Sequence, residues 1–137
     1  MAFDPRSDYP LGVRRPDLVS TPGGVALGDV TLDAIRAGEL GADEMRATPA
    51  TLRLQAEVAR AAGRTQLAES LERAAELAAV PDDLLLEIYT ALRPGRATAE
   101  ELAAWAERLE SFAAARTAAF VREAAVNYAD RGLLAHG

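Results

Sequence analysis

The chain has 137 residues, Lys+Arg 15 against Asp+Glu 21, a net charge of −6 and no cysteine. That length holds one domain with a modest core, and the absence of cysteine removes disulfides and thiolate metal sites. Every basic residue is arginine, so a chain this acidic repels a polyanion unless its arginines cluster, and nucleic-acid binding starts at a disadvantage.

Alanine supplies 31 residues and leucine 18, whereas valine and isoleucine together supply ten. Alanine is the best helix former but buries little area, so the composition predicts an all-α fold with a thin core. Short N-terminal helices, packed middle helices and a long C-terminal helix are expected, preceded by an extended proline-rich arm.

Residues 1–30 form that arm, with Pro5, Pro10, Pro16 and Pro22 among Gly12, Gly23, Gly24 and Gly28. Proline removes donors and glycine raises the entropy cost of ordering, which favours turns over regular structure. Tyr9, Leu11, Val13, Leu18 and Val19 sit among these breakers, and a tail with no contacts has no use for such anchors. The arm is therefore read as a docking segment laid along a partner or along the chain's own helices, and residues 31–137 as a helical domain.

Thr31 caps "TLDAIRAGEL" and Gly38 ends it. A short turn, "GADEMRA", follows. Thr48 caps the next helix with Pro49 at its first position, where a missing N–H costs nothing. Leu54, Val58 and Ala61 mark its buried stripe, and Gly63 closes it. Leu67, Leu71, Ala74 and Ala78 trace the face of "RTQLAESLERAAELAAV". Pro81, Asp82 and Asp83 start another helix, where carboxylates favour the positive end of the dipole. Leu84, Leu85, Leu86, Ile88, Tyr89 and Leu92 then spread around it, as expected of a central helix clamped between two surfaces.

Within "LRPGRATAEEL", Pro94 and Gly95 reverse the chain, and Thr98 with Glu101 forms a capping box. No proline or glycine interrupts Thr98 to Arg131, and Leu102, Ala106, Leu109, Ala113, Thr117, Phe120, Ala124 and Tyr128 follow a helical period. One continuous helix would reach about 50 Å at ~1.5 Å per residue, against a compact diameter of roughly 37 Å for this length. Its end would project or need support, which points to a subunit of an assembly. A break near Ala113 to Ala115 would weaken that inference.

Side chains suited to chemistry are few. His136 is the single histidine and lies at the end of the chain, where nothing holds a catalytic group in place. Asp82 and Asp83 are explained by capping before calcium or magnesium. There is no lysine for a phosphate loop, and "STPGGVALG" follows no strand. Ser7, Ser20, Ser70 and Ser111 lack a histidine to activate them. Arg14 with Arg15, Arg93 with Arg96, and Arg60 with Arg64 form small positive patches. They suit ion pairs within the chain or bidentate docking to carboxylates of a neighbour. From the residues alone the chain is a helical accessory or interaction protein.

Several segments then carry a resemblance: "DYPL" at Asp8 to Leu11, "TLDAIRAGEL" at Thr31 to Leu40, and "DEMRATPATLRLQAEVARAAGR" at Asp43 to Arg64. "ERAAELAAVPDDLLLEIYTALRPGRAT" at Glu72 to Thr98 and "AAFVREAA" at Ala118 to Ala125 continue it. Together they resemble the small, or gamma, subunit of coenzyme-B12-dependent diol and glycerol dehydratases, across roughly Asp8 to Arg131. The resemblance implies a noncatalytic part in a lyase built as a dimer of heterotrimers. Adenosylcobalamin would lie between the large and medium subunits, and the large subunit would hold the substrate and a metal ion, potassium or calcium. The cofactor would supply a radical that converts a 1,2-diol or glycerol to an aldehyde with loss of water.

On that resemblance this chain holds no catalytic, cofactor or metal residue and braces the large subunit. Its candidate interface residues are Tyr9, Pro10, Leu11, Arg14, Arg15, Arg93 and Arg96. Arg46, Arg53, Pro81, Asp82, Asp83, Tyr89, Arg93 and Pro94 are expected to keep helix ends or contacts in order. The expected location is the cytoplasm. Family members packaged in bacterial microcompartments resemble one another in a longer extension before the tyrosine-proline-leucine segment, and the short stretch before Tyr9 counts against encapsulation guided by this subunit. Gly95 stands where the resemblance leads one to expect a bulkier residue. The alternative is a freestanding helical adaptor or scaffold with no enzymatic role.

Overall fold

A computed structural model describes residues 1–136. The described residues form seven α-helices and three short 3₁₀ turns, with one isolated β-bridge, Ser20 to Ala26, and no sheet. The all-α expectation holds. Two compact units divide the chain, Met1–Ala75 and the remainder from Glu76 onward.

In the first unit, residues 1–30 are a succession of tight turns. Asp4 accepts the Arg6 amide at 3.0 Å and the Ser7 hydroxyl at 2.9 Å, the short-range bonding that lets aspartate compete with regular structure. The first bond, then the second, holds its carboxyl below the ordinary value. α1 (Leu11–Arg14) buries Leu11. Thr21 is buried and donates its hydroxyl to Glu44, which also accepts the Gly23 amide at 3.2 Å.

α2 (Leu32–Arg36) is capped by Thr31 as predicted, with its oxygen 3.1 Å from the Ala34 amide. Thr48 caps α3 (Pro49–Ala61) through the Thr51 amide at 3.1 Å. Gly38 and Gly63, both at φ +75, take the left-handed position that stops these helices.

The contact of α3 with α4 (Thr65–Leu77) runs through alanines rather than leucines. Ala56, Ala59 and Ala68 are buried with Leu71 packed against them. Leu54 and Val58 are half-buried, and Ala61, Leu67 and Ala78 are exposed or partly so. The predicted stripes are thus displaced toward their small residues, with Ala56, Ala59 and Ala68 at the centre of the contact and Leu71 packed beside them. So small a core buries little apolar area.

The second unit has the larger core, with Val80, Ile88, Leu102, Ala106, Leu109, Ala114, Ala118 and Val121 all buried. α5 (Asp82–Ala91) starts after Pro81 with two aspartates in its first turn. It packs on one face only. Ile88 is buried and Leu84, Leu85 and Leu92 pack beside it, whereas Leu86 is 67% exposed and Tyr89 59%. α6 (Ala99–Ser111) carries the predicted capping box, with Thr98 accepting the Glu101 amide at 3.2 Å and Glu101 accepting the Thr98 amide at 2.9 Å.

The stretch from Thr98 to Arg131, read from the sequence as one helix, is two helices. α6 ends at Ser111 and α7 (Ala115–Asp130), the longest described helix, begins at Ala115. Ala113 adopts φ +59. Its amide donates to Glu110 at 2.9 Å and the Ala114 amide to Leu109 at 3.0 Å, the paired bonds of a Schellman stop. The hairpin lets α7 bury Ala114, Ala118 and Val121 with Leu102, Ala106 and Leu109 of α6. A hairpin satisfies its own apolar face, so the single projecting helix, and the assembly inferred from its length, do not follow.

Beyond α7, the Gly95 amide donates to the Leu133 carbonyl at 2.7 Å and the Ala135 amide to the Ala97 carbonyl at 2.9 Å. Tyr128 donates its hydroxyl to the Leu92 carbonyl at 2.6 Å. The Pro94–Gly95 reversal is thus held by the end of the chain. Gly95 sits at φ +76 with no atom near a would-be side chain, so a bulkier residue there meets backbone strain rather than crowding.

Candidate subunit interface

The seven predicted interface residues fall into three environments. Tyr9, Pro10 and Arg14 are exposed. Leu11 is 5% exposed and belongs to the interior of its own unit. Arg15 is committed locally: it pairs with Asp17 at 2.9 Å and Asp8 at 3.1 Å, and donates to the Met1 and Ala2 carbonyls at 3.3 and 3.5 Å. The Asp17 hydrogen bond is the main reason its guanidinium is held above the usual arginine range, and the same bond lowers the Asp17 carboxyl. Arg14 and Arg15 therefore do not act as one patch, since Arg15 fastens the start of the chain.

Arg93 and Arg96 are both exposed on the reversal. Arg96 edges a groove of about 630 Å³ between α5 and α6, lined by Leu86, Ala91, Trp105, Glu87 and Arg108. The Arg108 guanidinium lies 5.4 Å from the centre of the Trp105 ring, within cation–π range. A second groove, about 520 Å³, lies between α3 and α4. Tyr9 forms one edge of it, with Val58, Ala62, Leu67 and Leu71 inside and Arg64 at one side.

The arginines at 60 and 64 also separate in role. Arg60 pairs with Glu72 across α3 and α4 at 2.8 Å. Arg64 opens toward the groove, because Gly63 turns the chain just before it. Nothing in the sequence brings Tyr9 and Arg64 together. They are far apart in the chain, and only folding of the arm onto α3 and α4 unites them.

Among the described residues, no three His, Cys, Asp or Glu side chains gather as metal ligands. No described helix is long and apolar enough to cross a membrane. The fold and its open grooves define a small all-α protein with apolar side chains left at its surface.

The family is settled by comparison. The family model described as "Dehydratase small subunit" matches residues 5–135. The propanediol dehydratase small subunit of Citrobacter freundii is 53% identical over 126 residues, which are 91% of this chain and 73% of that protein. Its counterpart from Salmonella typhimurium is 54% identical with the same coverage. The chain belongs to the dehydratase small-subunit family.

Proposed function

We propose that this chain is the noncatalytic small subunit of an adenosylcobalamin-dependent radical dehydratase, a lyase that turns a 1,2-diol or glycerol into an aldehyde with loss of water. The observation that carries this reading is the 53–54% identity to two propanediol dehydratase small subunits. Their names favour propanediol as the substrate of the complex.

The donor set of this chain fits neither the cofactor nor the metal. Its single histidine is His136, and its described carboxylates do not converge. Both groups are assigned to the large and medium subunits, and the role of this chain is to brace the large one within a dimer of heterotrimers. A thin α3–α4 core and open apolar residues such as Leu86 and Tyr89 suit a chain completed by neighbours.

Coexpression with the large and medium subunits tests the reading. A stable three-subunit complex with coenzyme-dependent aldehyde production is expected. Full activity from the two larger subunits without this chain would overturn the bracing role. Deleting residues through Val13 is expected to leave the helical signal largely present and weaken assembly in sedimentation experiments; unchanged assembly would remove the arm from the interface.

A further inference from the structure

The two grooves differ in charge. The α5–α6 groove carries both signs, Glu87 and Glu101 against Arg96 and Arg108. The α3–α4 groove carries one: among the described residues Arg64 is the only charged side chain lining it, beside Tyr9, Gln55, Val58, Leu67 and Leu71. Among the described residues Arg64 makes no ion pair, whereas Arg60 is neutralised by Glu72. Leu67 is 46% exposed and Tyr9 61%. An unpaired guanidinium beside an apolar hollow, in a chain of net charge −6, is arranged to take a carboxylate through its fork and a bulky side chain through its floor.

We propose that the α3–α4 groove docks a segment of a partner dehydratase subunit that carries a large apolar side chain next to an aspartate or glutamate. The apolar group lies among Tyr9, Val58 and Leu67, and the carboxylate meets Arg64. This rests on the reading of the chain as a dehydratase small subunit, and it gives that subunit's arm a specific role, with Tyr9 forming one wall of the receptor. A second copy of the chain is disfavoured because a two-fold contact through this groove brings two unpaired arginines together.

The test uses the coexpressed three-subunit complex. Arg64→Glu is expected to make the small subunit dissociate at concentrations at least tenfold higher than wild type in sedimentation velocity, with Arg64→Lys in between. Arg131→Glu, an exposed change in the other unit, should match wild type. Because the chain has no cysteine, Leu67→Cys gives a unique reporter, whose alkylation by N-ethylmaleimide, followed by peptide mass spectrometry, should slow at least tenfold on assembly. Should Arg64→Glu lose its helical circular dichroism, the alkylation rate decides alone.

Equal dissociation of wild type and a folded Arg64→Glu variant, or equal alkylation in the free chain and the complex, overturns the groove while leaving the subunit reading intact. Failure of wild type to join the larger subunits overturns both. A wild-type dimer of the isolated chain that Arg64→Glu converts to monomer would overturn the proposal in favour of self-association.

Discussion

Glu76 caps α7 through Thr117: its Oε2 accepts the Thr117 amide at 2.9 Å and the Thr117 hydroxyl at 2.8 Å, while Oε1 accepts the Arg116 amide at 3.1 Å. The residue at the cap position itself, Ala114, offers no side-chain acceptor. A carboxylate from α4 therefore serves α7 as Thr98 serves α6, and it also favours the positive end of the α7 dipole. Glu76→Ala should destabilise the chain by about 1–2 kcal/mol in urea unfolding. Thr117→Val should cost about 0.5–1.5 kcal/mol, and the double variant less than the sum. Additive losses would mean the two residues act separately.

Ala113 holds the hairpin open at φ +59 without being glycine. A side chain in the left-handed region costs roughly 1–2 kcal/mol, and glycine gives back roughly 0.5–1 kcal/mol through its unfolded-state entropy. Ala113→Gly is thus expected to stabilise by about 0.5 kcal/mol, read as a raised denaturation midpoint. Gly95→Ala, at φ +76, should destabilise by about 0.5 kcal/mol by the same balance. Opposite signs for these two changes are the diagnostic result.

The leucines of α5 and α6 should separate by burial. Leu102 is 1% exposed, and Leu102→Ala should cost about 2–5 kcal/mol. Leu85 is half-buried against the core, so Leu85→Ala should fall near about 2 kcal/mol. Leu86→Ala should change stability of the isolated chain by no more than about 0.5 kcal/mol. Thermal unfolding of the three variants gives the order directly.

Acid should weaken the hairpin through Glu110. The Arg122 guanidinium, 2.6 Å away, holds the Glu110 carboxyl below its ordinary value of 4.5, chiefly by hydrogen bonding. A carboxyl lowered by folding contributes stability that is fully present above 4.5 and is lost as pH falls through the folded value. Both side chains are about half exposed, so salt should shrink the effect. Melting temperatures of wild type and Glu110→Gln should differ at neutral pH and converge in acid; a constant gap would show that the ion pair is not the cause.

By itself the sequence determined the local punctuation. Thr31, Thr48 and Thr98 are caps because their hydroxyls answer amides only three residues away, and Gly38 and Gly63 are stops because the left-handed position disfavours a side chain. Nearby atoms decide such features, so nearby residues reveal them. The family was legible too, carried by segments such as the one from Glu72 to Thr98. What only the tertiary structure decided lies between distant residues. Small alanines, Ala56, Ala59 and Ala68, took the centre of the α3–α4 contact, while Leu54 stayed half-buried and Leu67 exposed, a choice made by how the two helices pack rather than by spacing along either one. α6 and α7 parted at a residue that is neither proline nor glycine, because a hairpin buries Ala118 and Val121 on Leu102 and Leu109 while Glu76 caps the new helix. Tyr9 and Arg64 came to line one groove only once the arm had folded back, and no spacing along the chain encodes that placement.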